Sequence, residues 1–173
     1  IYSIAAYNKA TGKPSVYADA TAATAVKALV QTRSEAIMAG DMEAYAATVA
    51  PDFFEAGRTK ARNIEETKAF ADQLNAYRTD YPEVSFADVN AGVFVDGDLF
   101  VYQATRIVSG SDGERSDVID TIDVFDYFKV EDGKAIFYGS HSRFFLDSVE
   151  SKATGATETF RVYLPEGYFD AGN

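Results

Sequence analysis

The sequence predicts an α+β fold, with helices first and a curved antiparallel sheet after them. Up to Tyr77 the apolar residues recur every three or four positions; from Val84 onward the period drops to two. Asp96-Gly97 and Asp132-Gly133 each stand between alternating apolar runs, a strong hairpin signal. Helices followed by hairpin-connected strands mean α+β rather than α/β. A long antiparallel sheet beside three helices closes its core only by curling around them.

Each element follows from its residues. Residues 22–39 carry Val26, Leu29, Val30 and Ile37 at helical spacing, and Gly40 is placed to end that helix. Asp41 caps a second, short helix from Met42 to Val49, which Pro51 stops. "PDFFEAG" reads as a short strand or extended link. Asn63 opens a third helix, with Glu66 three residues on as in a capping box. Phe70, Leu74 and Tyr77 give its apolar face, and Pro82 closes it. "VSFADVNAGVFV", "LFVYQATRIVS", "SDVIDTIDVFDYFKV" and "KAIFYGSHSRFFL" are the strands, with "GSDGER" as the middle turn. At the ends, Ile1–Tyr7 and Phe160–Leu164 have strand character, suited to capping an opening, extending a sheet edge or completing an interface.

Composition narrows the chemistry. A chain of 173 residues is most simply one domain and buries roughly 70% of its unfolded surface. Apolar residues make up 47%, with 13 Phe and 11 Tyr, which excludes disorder. A net charge of −11 argues against nucleic acid and anionic membranes as partners. Without cysteine there is no disulfide, thiol nucleophile or thiolate metal site, and the lone His141 precludes a multi-histidine centre within one chain. No apolar run reaches the length of a membrane span, and neither a P-loop nor GxGxxG occurs. No cofactor is expected. The first residue is Ile1, consistent with loss of a signal peptide, tag or disordered start, and the compartment stays open.

Asp126 is the informative residue. It keeps step with Val124, Phe128 and Val130, so its carboxyl points to the buried face of a strand. A carboxyl on an apolar wall resists ionisation and can exchange or donate a proton near neutrality. The alternative is a structural buried polar group, paired with Arg106 or Arg143 or bonded to backbone. Asp120 shares its parity but lies near the strand's wet start; Asp123 faces the other way.

Three stretches in order carry a family resemblance: "AIMAGDMEAYAATVAPDFF", "RNIEETKAFADQL" and "VFDYFKVEDGKAIFY". The chain resembles the NTF2-like superfamily, in particular its SnoaL-like branch of polyketide cyclases and ketosteroid isomerase-like enzymes. The resemblance covers about residues 22–146 of the single domain 1–173, leaving 1–21 and 147–173 as terminal extensions. It implies a cone of helices and curved sheet opening into an apolar pocket for a hydrophobic small molecule, commonly dimerised through the sheet. It also implies cofactor-free isomerase or cyclase chemistry by proton transfer, with Asp126 as the pocket acid. A non-catalytic ligand-binding or interaction module on the same cone is the alternative.

Two more residues join Asp126 as catalytic candidates. His141, on the following strand, titrates near neutrality and suits acid–base work; otherwise it is a polar strand histidine. The cyclases carry a histidine on the strand before the aspartate, and "YQATRIVSGS" has none. Tyr102 shares a face with Phe100, Ala104 and Arg106, where a fixed hydroxyl can donate to a developing oxyanion; otherwise it is core. Glu55 lies near a general-base position of the isomerase-like enzymes, with a solvated loop acid as its plainer reading. Val101, Ile107, Phe125 and Tyr127 occupy the opposite parity and suggest a homodimer face.

Overall fold

The computed structural model describes residues 16–53, 59–140, 161–164 and 168–170. Helices α1 (Ala20–Ala39), α2 (Met42–Ala47) and α3 (Lys60–Tyr77) precede strands β1 (Glu83–Asp96), β2 (Leu99–Ser111), β3 (Ser116–Glu131) and β4 (Lys134–Ser140). The four strands form one antiparallel sheet in the order β1-β2-β3-β4. Asp19 caps α1 by accepting from the Ala22 N–H, and Gly40 ends it in the left-handed conformation that glycine adopts without strain. Asp41 caps α2 as expected, although that helix stops at Ala47 rather than Val49.

The start of α3 corrects the capping-box expectation. Thr59 is the cap, accepting from the Arg62 N–H. Asn63 lies inside the helix, where its side-chain oxygen accepts from the Tyr45 hydroxyl at 2.8 Å. Glu66 pairs with Arg62 one turn back.

Strands of 14, 13 and 16 residues need breaks to curve. Register shifts at Val89/Gly92, at Val108/Ser109 and at Tyr127/Phe128 supply them, since a bulge bends and twists its strand. The Asp132-Gly133 turn has positive φ at both residues, the primed geometry that matches strand twist.

The sheet's two faces differ. The inner face sends Val93, Tyr102, Ala104, Val108, Val124, Phe128 and Phe137 against Val26, Val30 and Ile37 of α1, Tyr45 of α2 and Leu74 of α3. At the far end, Tyr81 packs flat on Gly110, where a Cβ would overlap its ring. The outer face holds a second cluster of Leu99, Val101, Phe125 and Tyr127. Val101 is 0% exposed and Tyr127 1% within this one chain, and Ile107 is half-buried. Of the residues expected on a homodimer face, Val101, Phe125 and Tyr127 are thus buried within one chain.

The segment Val16–Ala18 adds to the free edge of β1, its backbone bonding Val93 and Val95, so part of the N-terminal extension does extend the sheet. Near the C-terminus, β5 (Arg161–Leu164) is a strand as expected and pairs with β6 (Tyr168–Asp170) in a separate two-stranded sheet. Ile1–Tyr7 lies outside the described residues.

Candidate functional site

Asp126 points into the cone, as its parity requires, between Tyr102 on β2 and Ser140 on β4, its partners across the sheet. One carboxylate oxygen accepts from the Ser140 hydroxyl at 2.9 Å. The other accepts from an Arg33 Nη at 3.0 Å. The two charged side chains are 11% and 13% exposed, so this ion pair is nearly buried.

An uncompensated carboxyl on an apolar wall is thus not what the chain builds. The compensating charge comes from Arg33 on α1; Arg106 pairs with Asp88 instead, and Arg143 lies outside the described residues. Arg33 was legible in part: Val26, Val30, Arg33 and Ile37 fall on one helical stripe, which placed a cation on the buried face. The guanidinium lies 3.6 Å from the Phe137 ring centroid, with Tyr45 at 5.7 Å and Phe128 at 5.8 Å. Burial alone would loosen its proton, but the Tyr45 oxygen and Asp126 outweigh that, and its pKa rises. Aromatic faces add cation–π attraction in a dry setting.

Tyr102 lies beside this pair and is 3% exposed. Its hydroxyl donates to Asp88 on β1 at 2.7 Å. Arg106 grips the same carboxylate with two N–H groups, at 2.7 and 2.8 Å, a bidentate contact. Burial pushes the Asp88 carboxyl up, yet the hydrogen bonds from Arg106 and Tyr102 prevail and hold it below the usual range. Burial and the bond to Asp88 raise the Tyr102 phenol. Asp88 went unnoticed in the sequence although it keeps step with Val84 and Phe86, the same parity signal that marked Asp126. Arg106 lies over the Phe86 ring, which stacks with Phe70 of α3. These two half-buried rings flank the polar cluster.

The inner wall thus carries two arginine–carboxylate pairs with Tyr102 tied to one of them. His141 and Glu55 lie outside the described residues. Asp120 and Asp123 are exposed. Among the described residues no three His, Asp or Glu side chains converge to hold a metal, and no helix is long and apolar enough to cross a membrane.

No protein-family model matches the chain, and no curated protein matches it. Solved structures do. Aln2 from a Streptomyces species superposes with a TM-score of 0.53 at 16% identity, over 67% of this chain and 85% of that one. An NTF2-like protein of unknown function from Pseudomonas putida gives 0.53 at 14%, over 75% and 92%. An NTF2-like protein with a cystatin-like fold from Novosphingobium aromaticivorans gives 0.51 at 15%, over 67% and 77%. At such identities the likeness speaks for backbone and not for chemistry. Helices on a curved antiparallel sheet, in this order and with these neighbours, make this chain a protein of the NTF2-like fold.

Proposed function

We propose that the chain is a cofactor-free binding protein for a hydrophobic small molecule, and that its cone recognises rather than transforms the ligand. One observation carries this: among the described residues, the inward candidates for proton transfer, Asp126 and Tyr102, are already engaged. Asp126 is held by Arg33 and Ser140, and the Tyr102 proton is donated to an Asp88 that Arg106 grips. A general acid or base needs a free path to substrate; engagement by arginine and serine works against it. Among the described residues, what remains is a wall that is polar but balanced in charge, two cations against two anions, flanked by Phe70 and Phe86. Such a wall suits an apolar molecule with few polar atoms.

The second reading keeps the SnoaL-like proton-transfer chemistry, with Asp126 acting as an ionised base instead of a neutral acid. Its residual 13% exposure favours it. α-Proton exchange separates the two. The protein is incubated with 1-tetralone in heavy water, and deuterium at the α-carbon is followed by NMR. The binding reading expects shifts at inner-wall amides and exchange no faster than in buffer. Exchange well above buffer that disappears in Asp126→Asn would establish the enzyme and end the binding reading.

A further inference from the structure

Among the described residues, Nε of Arg33 is the buried side-chain polar atom that lacks a hydrogen-bond partner. The rest of the guanidinium is well served. One Nη holds Asp126, and the plane lies against Phe137 with Tyr45 and Phe128 around it. The Tyr45 hydroxyl donates to Asn63 and that of Ser140 to Asp126, and although the Tyr45 oxygen also serves the guanidinium, neither oxygen accepts from Nε. A charged donor without an acceptor, in a site shut off from water, is costly, and native proteins seldom leave one so.

We propose that Arg33 Nε–H is the anchoring donor for the ligand, and that the ligand is an uncharged, largely apolar molecule carrying a carbonyl oxygen. This rests on the ligand-binding reading above and names the class of molecule. The oxygen follows from the orphaned donor. Absence of charge follows from the balance of the site: the Arg33 charge is already met by Asp126, and an added carboxylate would meet that anion at close range. An apolar body follows from the rings that enclose the guanidinium. Because Nε is sealed, entry must turn the guanidinium or part those rings.

The test uses the intact, ¹⁵N-labelled protein with 1-tetralone and tetralin, which share one bicyclic carbon frame and differ by the carbonyl. Arginine Nε–H resonances report the contact, and calorimetry reports affinity. The Arg33 signal is assigned by its loss in Arg33→Lys, which keeps a cation opposite Asp126 but has no Nε–H. Tetralone is expected to bind about tenfold more tightly than tetralin, the order of one hydrogen bond to a charged donor, and to move the Arg33 resonance. In Arg33→Lys the preference should vanish. Equal affinities, a bound tetralone that leaves the Arg33 signal in place, or a preference that survives in Arg33→Lys would each overturn the assignment and leave ligand binding standing. Binding of neither compound would remove both.

Discussion

Replacing Asp126 with Asn keeps the side chain's shape and removes its charge. Arg33 then sits in a ring of aromatics with no anion, and its Nε still has no acceptor. Removing one member of a buried pair costs about 3–5 kcal/mol, because the charge left behind has lost both water and partner. At 11% and 13% exposure there is little screening to discount, but the asparagine oxygen still accepts one bond, which puts the expectation at about 3 kcal/mol. For a chain of this length each kcal/mol moves the melting temperature by about 2–4 °C, so calorimetry should show a loss of about 6–12 °C. The second half of the test is Arg33→Met combined with Asp126→Asn. With no charge left unpaired, the double variant should recover most of the loss, since well-packed apolar replacements of buried pairs are often neutral. An Asp126→Asn protein melting within about 1–2 °C of the parent would refute the reasoning, as would a double variant as unstable as the sum of the singles.

Three other outcomes are expected. Stability should fall in acid partly through Asp88: its folded pKa is lowered, so its contribution is whole above about pH 4 and is lost as pH falls through the lower folded value. Melts of Asp88→Asn should start lower at neutral pH, because Arg106 loses its partner, and should show a flatter acid limb. Tyr102→Phe should cost about 1.5–3 kcal/mol in urea unfolding, the worth of a hydrogen bond to a charged acceptor. Because burial and Asp88 raise the Tyr102 phenol, that variant and the parent should show the same phenolate absorbance up to about pH 11. Gly110→Ala drives a methyl into the Tyr81 ring, and a loss of about 1–3 kcal/mol in the same assay is expected.

Period, turn chemistry and caps act within a few positions, so the helix ending at Gly40, the hairpin at Asp132-Gly133 and the inward parity of Asp126 and Tyr102 could be read directly. Where two local signals competed, the reading slipped: Thr59 and Asn63 both suit a cap, and packing of Asn63 on Tyr45 decided between them. The site is another matter. Asp126 and Arg33 are 93 positions apart, and no local rule relates them. Parity shows that a charge points inward and cannot show what it meets. Only the packing of α1 across β3 and β4 decides that a carboxylate marked as a candidate acid is one half of an ion pair, because a buried charge takes its character from neighbours that tertiary structure alone brings within 3.0 Å.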